Sequence, residues 1–139
     1  MPCPTHEQDI QRLGHAGITT ALSMLPSAEA ADLAMAQEGQ FCANYGLTFR
    51  NYPIPDFGLP DPQPFAALIE ELVADLQQDA KIAVHCRAGI GRSGMVCSCI
   101  LIALGYSAAR AKSIVSDARS VSIPDTVEQD TFINDFAKP

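Results

Sequence analysis

Basic residues are scarce in this sequence. Nine Lys and Arg stand against sixteen Asp and Glu, which gives a formal net charge of -7 at pH 7 with the histidines neutral. The few cations are scattered along the chain, whereas surfaces that bind nucleic acid or anionic lipid normally cluster them. We therefore expect neither a nucleic-acid nor a membrane partner. Any anion site must be local, built from one or two arginines and backbone N–H groups.

Long apolar segments are also missing. The longest apolar run, residues 95–104, contains Ser98 and is about half as long as a membrane-spanning helix needs to be. The first ten residues, MPCPTHEQDI, lack the apolar core of a signal peptide. These absences predict a soluble, cytoplasmic protein.

The cysteines follow no pairing or metal-binding pattern. There are five, at positions 3, 42, 86, 97 and 99, with no CxxC pair. An odd number without framework spacing indicates a reducing compartment and not a disulfide scaffold. Zinc is not predicted, because Cys97 and Cys99 would point apart on a helix. For Cys42, Cys97 and Cys99 we favour inert packing over a redox role.

Hydrophobic spacing predicts alternating strands and helices. The predicted strands are residues 18–25, 47–52 and 81–85. The first predicted helix is 5–16, opened by a capping box of Thr5 and Gln8, and the second is 27–45. Further helices are predicted to begin at Pro62, to run from Arg92 to about residue 104, to begin after a cap at Ser107, and to lie around Phe132. This order predicts one α/β domain over residues 1–139, with a small, mostly parallel central sheet and helices on both faces.

Two loops would leave strands at the same edge of that sheet. One is PIPDFGLPDPQP, residues 53–64, whose five prolines indicate a fixed, exposed loop. Within it, Asp61 and Pro62 have the form of a helix cap followed by a proline in the first turn. The other is the glycine-rich loop after residue 85. Since parallel strands place their carboxyl ends at the ligand site, both loops are candidates for function.

The stretch VHCRAGIGRSG, residues 84–94, contains two competing patterns. Its glycines spell G-x-G-x-x-G, which is typical of a dinucleotide-binding turn. That fold also requires a further strand ending in an acidic residue, about one helix later. The segment that follows, GYSAARAKSIVSDARS, has helical spacing and no β-branched run. A Walker loop is excluded because no G-x-x-x-x-G-K-[ST] occurs.

A phosphate-binding loop explains the same stretch together with Cys86 and Arg92. The backbone turns between a strand and a helix, so that successive N–H groups converge on one anion at the positive end of the helix dipole. The same groups would stabilise a Cys86 thiolate. Arg92 offers a planar, two-pronged donor to phosphate oxygens, and Ser93 could hydrogen-bond the sulfur as it leaves. A merely structural cysteine beside a tight turn would leave Arg92 unexplained.

The residues His85-Cys86-x-x-Gly89-x-Gly91-Arg92-Ser93 resemble the HCxxGxGR[ST] signature of the cysteine-dependent protein tyrosine phosphatases. With YPIPDFGLP upstream, the chain is most similar to their small dual-specificity branch, which includes kinase-associated phosphatase and bacterial relatives, over about residues 17–136. The resemblance implies a dual-specificity phosphatase fold and a phosphocysteine intermediate, with no metal or organic cofactor. Because His85 ends a buried strand, we expect its side chain to orient the loop. From the turning backbone and the guanidinium we expect the substrate phosphate to be held by Arg87, Ala88, Gly89, Ile90, Gly91 and Arg92.

Two carboxyl groups could protonate the leaving oxygen. Asp61 is already explained as a helix cap, whereas Asp56 has no cap to make. In the family that this chain resembles, the general acid lies in a loop of this kind at a similar distance before the cysteine, and the match falls on Asp56. We therefore prefer Asp56. Its neighbour Phe57 packs either beside a substrate ring or onto the core.

Two residues near the end of the chain remain open. Gln129 could position the hydrolytic water, as glutamines do in related phosphatases, but a solvated helix residue is the better interpretation. Arg119 either contacts the substrate or has a structural role.

The resemblance favours a phosphorylated protein as the substrate, with phosphotyrosine or phosphoserine and phosphothreonine as the target. The variable loop positions Arg87, Ala88 and Ile90 include no lysine, and the surface is acidic, which argues against lipid and RNA substrates. The alternatives are a phosphatase of a non-protein phosphate ester and a pseudophosphatase that binds phosphoproteins without turnover. We expect a monomer.

Overall fold

The computed structural model describes residues 1–139 as seven helices and three short strands. In chain order they are α1 (Glu7–His15), β1 (Thr20–Ser23), α2 (Ser27–Asp32), α3 (Glu38–Asn44), β2 (Thr48–Asn51), α4 (Pro62–Gln77), β3 (Ile82–His85), α5 (Arg92–Ala103), α6 (Ala108–Arg119) and α7 (Val127–Phe136).

The sheet is entirely parallel, with the strand order β2-β1-β3. In the register, Ser23 of β1 lies opposite Asn51 of β2 and His85 of β3. These three residues end their strands, so the segments that follow all leave from one edge. That edge gathers α2, the proline-rich loop and the glycine-rich loop. The predicted α/β fold with a parallel sheet is confirmed.

Consecutive residues of a strand point to opposite faces of the sheet, and helices cover both faces. Ala21 belongs to a smaller core on one face, and Leu22 to the main core on the other. The smaller core is completed by Ile10, Met35, Cys42 and Leu47. The main core is filled from α4, α5 and α7, with Phe65, Leu72, Met95, Val96, Cys99 and Ile133 among its buried members. The edge at which the three strands end is therefore held between two packed layers.

The single helix predicted over residues 27–45 is wrong. The chain forms α2 and α3 instead, with Ala34 between them at a φ of 59°, in the left-handed region. Met35 then enters the smaller core and is 2% exposed, and its N–H donates to the carbonyl of Ala30. Burial of Met35 breaks the helix where no proline or glycine marks a stop.

The predicted helix caps have mixed outcomes. Ser107 caps α6 as predicted, accepting a hydrogen bond from the Arg110 N–H. The capping box of Thr5 and Gln8 is absent, because α1 begins at Glu7 and Thr5 bonds to Asp9 instead. Asp61 occupies the N-cap position of α4, but its side chain makes no cap hydrogen bond.

None of the helices has the combination of length and hydropathy that a membrane-spanning segment requires.

Candidate active site

The glycine-rich loop, residues 86–91, joins the end of β3 to the first turn of α5. Gly89 lies at its apex with a φ of 74°. A Cβ atom there would approach the backbone of Met1 to 2.3 Å and that of Pro2 to 2.5 Å. Glycine is therefore required at this position for two reasons, the left-handed backbone and the close approach of the N-terminal segment.

Cys86 lies inside this loop with only 3% of its surface exposed. Its Sγ is 3.3 Å from Ser93 Oγ. Burial alone would raise the pKa of the thiol. Hydrogen bonds from the Ser93 hydroxyl and from the N–H groups of Ser93, Gly89 and Ile90 outweigh that penalty, and the pKa of Cys86 is lowered from its ordinary value. The loop thus favours a thiolate, which is the nucleophilic form of cysteine.

Arg92 has the largest of the fully buried side chains. Its guanidinium group makes four hydrogen bonds to the protein. Nη1 donates to Glu29 Oε1 at 2.8 Å and to the Ile54 carbonyl at 2.9 Å. Nη2 donates to Glu29 Oε2 at 2.8 Å and to Asp56 Oδ1 at 3.1 Å. An arginine has five N–H donors, so only Nε–H lacks a protein acceptor. Glu29 thus fixes the plane of the guanidinium.

Asp56 lies on the proline-rich loop at the mouth of the site, and its side chain is 40% exposed. Besides Arg92, its Oδ1 accepts a hydrogen bond from the Phe57 N–H. Phe57 has a φ of 60° and is 63% exposed, so the expectation that it could fold onto the core is wrong. Asp61 makes no bond or ion pair with Arg92. Of the two candidate acids, the structure brings Asp56 to the arginine.

The carbonyl groups of the loop are held by the neighbouring His85 and by Arg119, which lies about thirty residues further along the chain. His85 Nδ1 is 3.2 Å from the Cys86 carbonyl, while Nε2 faces Glu38 of α3. Arg119 Nε donates to the carbonyl of Gly89 at 2.9 Å, and its Nη2 donates to that of Ala88 at 3.2 Å. These contacts with the carbonyls leave the loop N–H groups free to face inward.

Gln129 is fully buried, so its interpretation as a solvated helix residue is wrong. Its backbone N–H and its side-chain Oε1 form a capping box with Thr126 at the start of α7. Its Nε2 reaches the Gly58 carbonyl of the proline-rich loop at 3.4 Å. A Cβ placed on Gly91 would lie 2.8 Å from Gln129 Oε1. Gln129 therefore lies between the two loops of the site.

The remaining cysteines differ from Cys86 in their environment. Burial raises the pKa of Cys99 to about 12 and that of Cys42 to about 11. Such thiols are poor nucleophiles at neutral pH, which agrees with inert packing. No group of three or more His, Cys, Asp or Glu side chains is arranged to hold a metal ion.

Sequence reasoning missed Glu29 and Glu38. Glu29 is 63 residues from Arg92 along the chain, and Glu38 is 47 residues from His85. Both fell inside the predicted helix over residues 27–45, where an acidic residue is ordinary. Only the break between α2 and α3 aims one carboxylate at the arginine and the other at the histidine.

A family model described as "PTP-SAK: Swiss Army Knife protein, DSP-PTPase phosphatase domain" matches residues 1–131. Among curated proteins, rat cyclin-dependent kinase inhibitor 3 is 28% identical over 132 residues, which cover 94% of this chain and 62% of that protein. The human protein of the same name is 31% identical over 93 residues, or 66% of this chain and 44% of that protein. The chain thus spans about three-fifths of the length of the rat relative.

Solved structures show the same fold. Kinase-associated phosphatase, with serine in place of its catalytic-site cysteine, aligns with a TM-score of 0.87 at 25% identity, over 94% of this chain and 74% of that chain. The structure of PTPMT1 in complex with PI(5)P aligns with a TM-score of 0.83 at 17% identity, over 98% of this chain and 86% of that chain.

Proposed function

Because this chain belongs to the family of DSP-PTPase phosphatase domains, we propose that it hydrolyses phosphotyrosine, and also phosphoserine and phosphothreonine, on proteins through a phosphocysteine intermediate. The proposal rests on how a thiol, a set of N–H groups, an arginine and a carboxylate are arranged at the edge where the three strands end. A thiol with a lowered pKa lies in a loop of N–H groups that ends at a buried arginine, and a carboxylate from a second loop contacts that arginine.

In the first step, the Cys86 thiolate attacks phosphorus. The S–P bond forms as the ester P–O bond breaks, and Asp56 gives its proton to the departing oxygen. The charge on the three equatorial oxygens is stabilised by the loop N–H groups and by the Arg92 guanidinium, which are already in place before the reaction.

In the second step, Asp56 accepts a proton from water as the water oxygen attacks phosphorus. The S–P bond breaks, and Cys86 leaves as a thiolate that the Ser93 hydroxyl stabilises by its hydrogen bond. Inorganic phosphate is the product. The chain, the substrate and water supply every proton and electron pair in these two steps.

The bonds of Arg92 suggest how the acid reaches its place. A phosphate that takes two parallel N–H donors from one side of the guanidinium needs Nε–H and one N–H of Nη2. The outward N–H of Nη2 is the one bound to Asp56. Phosphate binding would therefore displace the Asp56 carboxylate from the arginine. The freed carboxylate takes up a proton from solvent, and the resulting carboxylic acid turns toward the leaving oxygen.

A phosphoprotein is the preferred substrate class. Two of the similar proteins are cyclin-dependent kinase inhibitor 3 and kinase-associated phosphatase, and their names suggest kinases or other phosphoproteins as partners. The net charge of -7 would repel an anionic membrane. PTPMT1 in complex with PI(5)P shares the fold, so a lipid ester is the second candidate. We place this activity in one phosphatase domain, acting as a cytoplasmic monomer that binds neither nucleic acid nor membrane.

One assay series tests the proposal. Purified protein under reducing conditions is given p-nitrophenyl phosphate, a phosphotyrosine peptide, a phosphoserine peptide, and vesicles containing PI(5)P. We expect turnover of the first two, with slower turnover of phosphoserine. Cys86→Ser should abolish turnover but keep binding, and Arg92→Ala should lose both. Cys3→Ser, which changes a partly exposed cysteine, is the matched control and should retain activity.

Two results would contradict the proposal. Inactive wild-type protein that still binds the phosphopeptides would indicate a pseudophosphatase. Hydrolysis of PI(5)P in preference to both peptides would assign the site to a non-protein phosphate ester.

A further inference from the structure

A buried carboxylate lies behind the candidate nucleophile and takes no part in the two chemical steps. Glu38 is in the first turn of α3, and His85 ends β3. His85 Nε2 is 2.7 Å from Glu38 Oε1 and 3.0 Å from Oε2, and each side chain is only 2% exposed. His85 is the only ionic partner of Glu38 in the structure. A charged group is rarely buried to this degree unless it is paired.

The protons of this pair can be assigned from the hydrogen bonds. Because a carbonyl oxygen only accepts, the 3.2 Å contact with the Cys86 carbonyl requires the proton on His85 Nδ1. One more proton then lies between Nε2 and Glu38. If it is on nitrogen, an imidazolium donates to a carboxylate. If it is on oxygen, a carboxylic acid donates to a neutral imidazole. The pair is neutral as a whole in both cases, and Nδ1–H faces Cys86 in both.

We propose that Glu38 is a positioning residue that acts through His85. By fixing the ring, it fixes the Nδ1–H bond to the Cys86 carbonyl and so holds the loop with its N–H groups directed at the sulfur. The inference rests on the proposed function, because it gives the pair a role in activating the nucleophile. It adds a third support to the loop, beside Glu29 on the arginine and Arg119 on the loop carbonyls.

The surroundings of Glu38 argue against a role in stability alone. A cavity of about 160 Å³ adjoins it, and its lining includes the polar residues Ser23, Ser27 and Asn51 as well as the apolar residues Leu25, Met35 and Phe49. Apolar replacement of a buried ion pair is often neutral or stabilising. A carboxylate at this position therefore needs another explanation, and the contact with the residue before Cys86 supplies it.

The test uses four variants of the full chain: Glu38→Gln, Glu38→Leu, His85→Leu, and the double variant Glu38→Leu/His85→Leu. The first readout is the rate at which iodoacetamide alkylates Cys86, followed by mass spectrometry of its peptide. It is measured below the ordinary thiol pKa of about 8.5, where the rate reports the thiolate. The second readout is kcat and KM for p-nitrophenyl phosphate. Alkylation does not depend on turnover, so it is informative even if the proposed function fails.

We expect Glu38→Leu to slow both alkylation and kcat by about tenfold or more, since small displacements of a reacting group cost rates of that order. KM should change less, because Arg92 is untouched. Glu38→Gln should keep most of the wild-type rate, because its amide can donate to Nε2 while Nδ1–H is retained. In the His85→Leu background, adding Glu38→Leu should slow alkylation no further, as expected when one residue acts through the other.

Three results would overturn the inference. The first is wild-type alkylation in a folded Glu38→Leu protein. The second is an equal loss in Glu38→Gln and Glu38→Leu. The third is a full additional loss when Glu38→Leu is added to His85→Leu. If a single variant does not fold, the apolar double variant decides the question, because it leaves no unpaired polar group. It should fold and react slowly, and a wild-type rate in that protein would refute the role of the pair.

Discussion

At the scale of single residues, Arg92 connects the separate parts of the site. Its guanidinium joins the first turn of α5 to Glu29 on α2 and to Ile54 and Asp56 on the proline-rich loop. An arginine held by a carboxylate on one edge keeps its plane fixed while another edge faces the substrate. Substitution of Asp56 should therefore affect mainly catalysis, and substitution of Glu29 should affect mainly the stability of the fold.

Replacing the acid should affect catalysis far more than folding. We expect Asp56→Asn to lower kcat roughly 10²- to 10⁴-fold, the usual contribution of a general acid, and to remove the basic limb of the pH profile. Asp61→Asn is the matched control. Because the Asp61 side chain makes no cap hydrogen bond, its change should cost less than about 0.5 kcal/mol of stability and leave kcat near the wild-type value. The reverse result would transfer the role to Asp61.

The Glu29 carboxylate gives a prediction for stability against pH. The hydrogen bond from Arg92 outweighs the cost of burial, and the pKa of Glu29 in the folded protein lies below its ordinary value of 4.5. A lowered folded-state pKa means that the ion pair stabilises the protein above the ordinary pKa and that this contribution is lost as the pH falls through the folded value. Wild-type protein should thus lose stability in acid relative to Glu29→Gln.

Urea unfolding of both proteins at neutral pH and at about pH 3 measures this difference. The free-energy gap between wild type and Glu29→Gln should shrink in acid. An unchanged gap would show that the ion pair does not contribute as the structure indicates.

At the level of secondary-structure elements, the conformation of the glycine-rich loop depends on the N-terminal segment that packs against it. The N–H of Cys3 donates to the Arg87 carbonyl, and the terminal amine of Met1 donates to the Val84 carbonyl. The N-terminal segment thus contacts the loop on the side where Gly89 has no Cβ. The conformation that directs N–H groups at Cys86 is supported by this segment as well as by Arg119.

A pair of glycine substitutions separates backbone strain from this contact. Gly46 and Gly89 have nearly the same φ, 76° and 74°, but a Cβ at Gly46 meets nothing within 4 Å. Gly46→Ala should cost about 1–2 kcal/mol, the price of a left-handed backbone, and should not change kcat. Gly89→Ala should cost more and sharply reduce kcat, since the Cβ would displace residues 1 and 2. Thermal unfolding and p-nitrophenyl phosphate turnover measure both, and equal effects of the two changes would refute the contact.

Most elements could be predicted from the sequence because their signals are local. The helix that begins at Pro62 follows from apolar spacing between Phe65 and Leu76, and the strand before Cys86 follows from a short apolar run. The break between α2 and α3 could not be predicted. It results from the burial of Met35 in the smaller core with Ile10 and Ala21, and this outweighs a local preference for helix.

At the scale of the whole molecule, the sheet order brings together residues that the sequence keeps apart. Cys86, Arg92 and Asp56, the proposed nucleophile, arginine and acid, could be selected from the sequence because each belongs to a motif or lies in a proline-rich loop. Glu29 and Glu38 could not, because their partners are set by tertiary packing alone. The spacing of Thr126 and Gln129 is a local capping signal, but the burial of Gln129 between two loops again depends on tertiary packing. The side chains proposed to perform a chemical step are thus easier to find in this sequence than the side chains that contact them from other elements.

The acidic surface should influence substrate choice over long range. With a net charge of -7, the molecule should attract a phosphotyrosine peptide with lysine flanks and repel one with glutamate flanks. We expect the lysine peptide to have the higher kcat/KM, and the difference to narrow at about 1 M salt, where the Debye length is about 3 Å. A preference for the glutamate peptide at low salt would contradict this expectation.

Detection of phosphate on the sulfur of Cys86 distinguishes a phosphocysteine intermediate from direct attack of water on the substrate. Wild-type protein and Ser93→Ala are mixed with p-nitrophenyl phosphate, quenched in acid within the first turnover, digested and analysed by mass spectrometry. We expect a phosphorylated Cys86 peptide in wild type. More of it should accumulate in Ser93→Ala, because the hydroxyl that assists the leaving thiolate is missing. Continued turnover with Cys86 unmodified in both proteins, or phosphate on another residue, would contradict the proposed intermediate.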